Sequence, residues 1–328
     1  MTLAAALLPS RTVAVTAALA CVSFLLSLWI GPDGWGLPGD SAAARLVFSE
    51  IRVPRAVLGF LIGGALGLSG AVLQGYLRNP LAEPGLLGIS GGAALGAVTA
   101  IHSGLAGRVA MALPLAGLAG AALATIAIVA LAGATGSTTT LILAGVAVSS
   151  VAGALTSLAL NLSPNPFAST EIMFWLMGSL TDRSLIHVWL AAPLILTGMA
   201  MLLTTGRDLE ALSLGEDAAQ NLGVDLKGLR FKVIAGSALA VGAATAVAGA
   251  IGFIGLIVPH VIRPFVGHSP ARLLMPCLFG GAAMVLLSDV ALRLLSPQGD
   301  LRLGVLSALI GAPFFLWRVL SSRGELAP

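Results

Sequence analysis

Charged side chains make up only 9% of the sequence, about a third of the ~25% usual in a soluble domain. A water-soluble globule of 328 residues could not cover its surface with so few. The same scarcity excludes an intrinsically disordered chain, which needs low hydrophobicity and high charge. Aromatic residues are also sparse, at 5%, and there are two cysteines, Cys21 and Cys277. Both lie inside apolar runs, so neither a disulfide framework nor a metal site is expected of them. No Gly-x-x-x-x-Gly-Lys-Ser/Thr string occurs, so the chain carries no P-loop for ATP. Gly34-Trp35-Gly36-Leu37-Pro38-Gly39 has dinucleotide-binding spacing, but it follows an apolar helical run and Pro38 disrupts the turn, so it is read as coincidence. The histidines, His102, His187, His260 and His268, lack metal-ligand spacing apart from one pair eight residues apart. No nucleophile–base pair stands out, and no catalytic residue is assigned.

What fills the chain is apolar: 57% hydrophobic residues, 41 glycines and a mean hydropathy of +1.00. Small residues let helices approach closely in lipid, where packing drives association. A membrane β-barrel would show alternating segments of ~10 residues, whereas these runs are continuous and about twice that length. The fold class is therefore all-α, a polytopic membrane protein. A helix needs ~20 apolar residues to cross a bilayer. Eight runs meet that need: 12–30, 56–76, 109–132, 141–162, 185–205, 231–251, 273–295 and 303–320. Two shorter ones, 86–101 and 252–266, bring the expected total to about ten, with Gly249, Gly252 and Gly255 as break points in the run 233–259. The first run resembles a signal peptide, and Ala18-Leu19-Ala20-Cys21 a lipoprotein cleavage site. The apolar stretch continues too far past Cys21 for that, so a retained span is expected.

With ten spans and both ends in the cytoplasm, ten of the 17 basic residues fall inside. This obeys the positive-inside rule, weakly. The longest polar segment, 206–232, holds nine of the chain's charged residues. Leu209, Leu212, Leu214 and Leu222 recur there at roughly helical spacing, so short amphipathic helices are expected. A cytoplasmic elbow of this size, at about 206–228, suggests a docking surface. A possible internal repeat at an offset of 179 pairs Gly63 with Gly242, Gly70 with Gly249, Pro80 with Pro259 and Gly88 with Gly267. A five-span unit would make it inverted, a recurring transporter plan.

Three further features stand out. Arg52-Val53-Pro54-Arg55 opens the second span; Pro54 suits a first helical turn, while arginines there oppose the helix dipole. They are read as a basic patch for an acidic partner, with lipid-phosphate contact as the alternative. Segment 78–88, RNPLAEPGLLG, interrupts a long apolar stretch with two prolines and two glycines, and non-helical backbone at that depth must be buried in protein or line a cavity. Asp289 and Arg293 lie four residues apart within the ninth span and can pair across one turn. A single self-paired carboxylate is weak support for ion coupling, so an ion-coupled secondary transporter of a metal complex is kept as the alternative.

Together, RVPRAVLGFLIGGALGLSGAVLQGYLRNPLAEPGLLGIS, LILAGVAVSS, LEALSLGEDAAQNLGV, GFIGLIVPHVIRPFVG and LRLGVLSALIGAPFFLW resemble the FecCD family of ABC-importer permeases, over about Arg52 to Trp317. The resemblance implies a single permease domain, residues 1–328, in a bacterial inner membrane. It implies cargo such as an iron-siderophore, haem or cobalamin, and no nucleic-acid partner. Expected partners are a second copy or paralogue, separate ATPase subunits that bind ATP and magnesium, and a periplasmic or lipid-anchored binding protein. No cofactor or metal is expected in the chain itself. By position, Arg52, Arg55 and Arg293 resemble the arginines that dock the binding protein. Asn79, Leu81, Thr138 and Thr139 resemble a cytoplasmic gate. Leu212, Ser213, Leu214, Gly215, Glu216 and Asp217 resemble the segment that couples to the ATPase. Arg302 departs from the pattern, standing where relatives often have proline.

Overall fold

The computed structural model describes residues 11–31, 34–36, 41–133, 138–163, 166–296 and 301–323. Leu37, Pro38 and Gly39 of the glycine string lie outside the described residues. The chain is helical almost throughout. In order come α1 (Arg11–Trp29), α2 (Ala42–Val47), α3 (Val53–Tyr76), α4 (Ile89–His102), α5 (Ala112–Ala132), α6 (Thr138–Asn161) and α7 (Pro166–Leu176). Then follow α8 (Leu185–Leu203), α9 (Gly206–Leu212), α10 (Glu216–Asn221), α11 (Leu226–Ala248), α12 (Ile254–Ile262), α13 (Pro270–Leu295) and α14 (Leu303–Arg323). A two-residue antiparallel pairing, Ile30 with Trp35 and Gly31 with Gly34, closes the turn after α1.

Seven helices are long and apolar enough to cross a membrane by length and composition, and three shorter apolar ones, Ile89–His102, Ile254–Val266 and Leu303–Leu316, accompany them. These ten elements coincide with the ten expected runs. At ~1.5 Å per residue α4 and α12 are shorter than the ~30 Å hydrocarbon core. Besides the elbow helices α9 and α10, two described helices lie outside the expected runs. α7 occupies the connection between the fifth and sixth spans, where an 11-residue apolar segment is too short to register as a crossing. α2 precedes the second span.

The helix containing Pro54 starts well before it. Ser41 caps α2 by accepting the Ala44 N–H at 3.1 Å, and helical backbone continues from Ala42 to Tyr76. Pro54 has no N–H to offer its own turn. The chain accommodates it with a π-helical turn over Phe48–Arg52, in which the Val53 N–H reaches the Phe48 carbonyl. The expectation that Arg52 and Arg55 flank a helix N-terminus is thus corrected: they lie inside a continuous helix, and the dipole argument does not apply to them.

α3 is the central helix. Its window is 89% buried, against 22% for α1 and for α6, which sit at the periphery. Glycines set the spacing. α13 lies so close along α3 that a Cβ on Gly63 would strike the Gly281 carbonyl, and one on Gly281 would strike that of Gly63. α4 and α5 approach through Gly92, Gly96 and Gly120 in the same way. Such contact replaces the hydrophobic effect as the cohesive force within lipid. α11 ends at Gly249, whose φ of +74° and proximity to the Trp175 carbonyl exclude a side chain.

The irregular segment after α3 is buried in protein, as the depth argument requires. Pro84 and Leu87 are buried, and Gly255 allows the Pro84 ring to pack against the start of α12. The two helix interruptions therefore rest on each other. The register of the proposed repeat does not survive at two of its four pairs. Gly70 lies inside α3 whereas Gly249 ends α11, and Pro80 lies in a turn whereas Pro259 sits inside α12.

Candidate functional site: an arginine cluster and a helical elbow

Asp289 of α13 is 1% exposed and stands at the centre of the outer cluster. Arg293, one turn along, donates from Nη2 to its Oδ2 at 2.7 Å. Arg55, 234 residues away in sequence, grips the same carboxylate in bidentate fashion: Nη2 to Oδ1 at 2.8 Å and Nε to Oδ2 at 2.9 Å. The (i, i+4) pair was legible in the sequence; the bridge from α3 was not, because nothing local marks a contact of that range. Arg293 also donates to the Ser27 carbonyl at 2.9 Å, the Ser27 hydroxyl at 2.6 Å and the Ile30 carbonyl. It thereby ties α13 to the end of α1.

Arg52 is 7% exposed. Its Nη1 donates to the Gly36 carbonyl at 2.8 Å and the Leu28 carbonyl at 3.4 Å. Its guanidinium passes over Gly31, where any side chain would collide with it, and its Nε is buried without a partner among the described residues. The three sequence-nominated arginines therefore converge on one end of α1, α3 and α13, largely buried. Two guanidiniums hold the Asp289 carboxylate and a third, that of Arg52, is bound to backbone carbonyls beside them, so among the described residues the cluster carries an excess of positive charge in fixed geometry. Buried arginine–carboxylate forks of this kind are specific in direction and costly to break.

The opposite end is built differently. α9 and α10 form the expected short helices of the elbow, joined through Gly215 at a φ of +110°. Leu209 and Leu212 are buried against the bundle, Leu209 beneath Gly75. Leu214 and Leu222, by contrast, are 69% and 65% exposed. Around them the ion pairs are long and solvated: Arg78 to Glu216 at 3.7 Å and Lys232 to Asp208 at 3.7 Å. Ser213 donates its hydroxyl to the Glu210 carbonyl at 2.6 Å, and Asp217 sits in the first turn of α10.

The nominated gate residues lie at helix ends on the elbow's side. Asn79 and Leu81 are exposed in the turn after α3, where the Asn79 Oδ1 accepts the Leu81 N–H at 2.9 Å. Thr138 and Thr139 open α6. Behind the turn, Glu83 receives the Phe253 N–H, and burial raises its pKa above the usual carboxylate value despite that bond. A node that the sequence reading missed joins α3 to α12: Gln74, 2% exposed, accepts from Arg263 Nη2 and donates to the Gly255 carbonyl at 3.4 Å. A polar residue amid the apolar run of α3 was its only signal. Among the described residues no group of three or more His, Cys, Asp or Glu could hold a metal ion.

Comparison with known proteins shows the family. The FecCD transport family matches residues 12–321. The vitamin B12 import system permease protein BtuC of Klebsiella pneumoniae is 39% identical over 307 residues, covering 93% of this chain and 92% of the relative. That of Salmonella typhimurium is likewise 39% identical, with 93% of both chains covered. A solved structure described as a metal-chelate type ABC transporter in an inward-facing conformation aligns with a TM-score of 0.86 at 32% identity, covering 94% of this chain and 98% of that one. The chain is a multi-pass membrane protein, it belongs to the FecCD transport family, and it is a permease subunit of an ABC importer.

Proposed function

We propose that this permease passes an intact metal chelate across a bacterial inner membrane as one half of a dimer, with a second copy as its partner. The whole chain acts as one permease domain. Separate ATPase subunits, which bind ATP and magnesium, drive it from the elbow, and a periplasmic or lipid-anchored binding protein feeds it at the arginine cluster. The cargo is a metal-tetrapyrrole, cobalamin or haem, or a related iron chelate. The relatives named for vitamin B12 import support the first of these.

The observation that carries the reading is the contrast at the elbow. Two large apolar side chains, Leu214 and Leu222, stand exposed on the most polar segment of the chain. Apolar anchors ringed by charge suit the core of a protein interface. ATP can bias the permease only if the elbow contacts the ATPase differently in two states. At the other end, an excess of fixed positive charge suits carboxylates presented by a docking partner. Asn79, Leu81, Thr138 and Thr139 then form the inner gate. Ion coupling through Asp289 would need that carboxylate free to exchange protons or sodium, and two arginines hold it.

Photo-crosslinkers placed at Leu214 and at Ile51 test the assignment in cells. Leu214 should capture the ATPase subunit, and Ile51, exposed beside Arg52, should capture the binding protein. Capture of neither partner, or the reverse pattern, would overturn it.

A further inference from the structure

A second cluster of arginines occupies a cavity of about 630 Å³ on the outer side, between α7, the start of α5 and the segment leading into α14. Arg183 and Arg302 line it together with Phe167, Phe174 and Trp175. Among the described residues neither guanidinium donates a hydrogen bond or joins a salt bridge, and the Nε of each is buried without a partner, as is the Trp175 Nε1. Buried donors are almost always satisfied, and here three on residues that line one cavity lack an acceptor among the described residues. Arg302 lies over the Phe174 ring, its Cζ 4.8 Å from the centroid. A guanidinium seated on an aromatic face can still offer its terminal nitrogens to a carboxylate.

The electrostatics agree. Burial pulls the Arg183 pKa down; Asp182 opposes this, and Arg302 adds to it by repulsion. Two cations sharing a partly buried cavity without hydrogen bonds are strained in the free protein. Glu171 and Asp182 also line the cavity, but both are exposed. A separate apolar pocket of about 510 Å³ begins one residue past Trp175 and two past Arg302, lined by Leu176, Met177, Gly304 and Val305.

We infer that this outer cavity is a cargo-recognition site that binds a carboxylate on the periphery of a planar metal chelate. Arg302 and Arg183 hold the anion and the aromatic side chains hold the adjoining apolar face. The inference rests on the permease reading above and adds to it a charge preference for the cargo. A concave site lined in part by aromatics suits a small flat molecule, and an apolar pocket lies beside it.

The test uses the complete transporter in nanodiscs and matched pairs of rings that differ only in charge. One pair is a ferric porphyrin dicarboxylate and its dimethyl ester; the other is cyanocobalamin and its peripheral monocarboxylate. Within a pair, the acid should bind at least about tenfold more tightly than the neutral form, a gap of ~1.4 kcal/mol. The gap should close in Arg302→Gln and be partly kept in Arg302→Lys. Phe174→Leu should weaken both members of a pair. Size-exclusion profiles and ATP hydrolysis establish that each variant is assembled. Inorganic phosphate separates sources: a site built for cargo is displaced by the acid ring far more readily than by free phosphate. Equal affinity for acid and neutral rings, no binding of any ring, or an acid preference that persists in Arg302→Gln would each overturn the inference. ATP-dependent uptake of neutral rings by the same preparation would leave the permease reading standing.

Discussion

The two ends of this molecule use charge in opposite ways. At the outer end, Arg55 and Arg293 hold Asp289 in contacts of 2.7 to 3.1 Å, buried and locked to α1. At the inner end, Arg78–Glu216 and Lys232–Asp208 are 3.7 Å apart and solvated. A buried fork is rigid because breaking it strands a charge in a medium that cannot solvate it. A surface pair exchanges with water at little cost. The arginine-cluster end is thus held rigidly and the elbow end loosely. That asymmetry suits the proposed scheme, in which the permease is loaded at one end and driven from the other.

The comparison is broken most severely at Asp289. Asp289→Ala leaves two buried guanidiniums without their carboxylate, and the expected loss is roughly 3–5 kcal/mol of stability. Thermal denaturation in detergent should show a large fall in midpoint, whereas Asp289→Asn, which retains hydrogen-bonding capacity, should fall less. An unchanged midpoint in Asp289→Ala would show that the arginine cluster is not held by this pair.

The elbow should respond in the other currency. Replacing Leu214 and Leu222 with Asp removes two apolar anchors, each worth ~2 kcal/mol in a typical interface hot spot, about thirtyfold in ATPase affinity. The denaturation midpoint should stay close to the parent's, because both side chains are exposed. A loss of stability with intact ATPase binding would invert the assignment.

Glu83 sharpens the contrast through pH. Burial raises its folded-state pKa, so folding favours the protonated form. Its contribution is fully present below the unfolded-state pKa and is lost as pH rises through the raised folded value. Glu83→Gln should therefore be more stable than the parent at neutral pH, with the difference fading in acid. A difference that grew on acidification would contradict the assigned direction. The smallest effect belongs to Arg78→Ala, which severs an exposed pair and should cost less than ~1 kcal/mol, measured in the same melts.

Much of this was legible in the sequence, and the rest was hidden for identifiable reasons. Run length and glycine content gave the spans, because lipid imposes a near-fixed apolar length. The elbow announced itself by charge density and the spacing of its leucines. Asp289–Arg293 was visible because four residues make one helical turn. Arg55 as the second partner was not, since only the tight glycine packing of α3 on α13 brings it there. The early start of the helix at Ala42 was masked by Pro54, whose π-helical accommodation has no simple sequence mark. Arg302 registered as a departure from the family pattern. Its neighbours Arg183 and Phe174 lie on other elements, so the cavity they form could not be read from any one segment.

The account holds that this chain is a conduit with no motive force of its own, driven through the elbow. Uptake of labelled cobalamin or haem into liposomes tests that most directly, comparing the permease alone with the permease plus ATPase subunits, binding protein and internal ATP. The account predicts accumulation only in the complete system, and its loss when Leu214 and Leu222 are replaced by Asp. Accumulation by the permease alone, under a proton or sodium gradient, would contradict it.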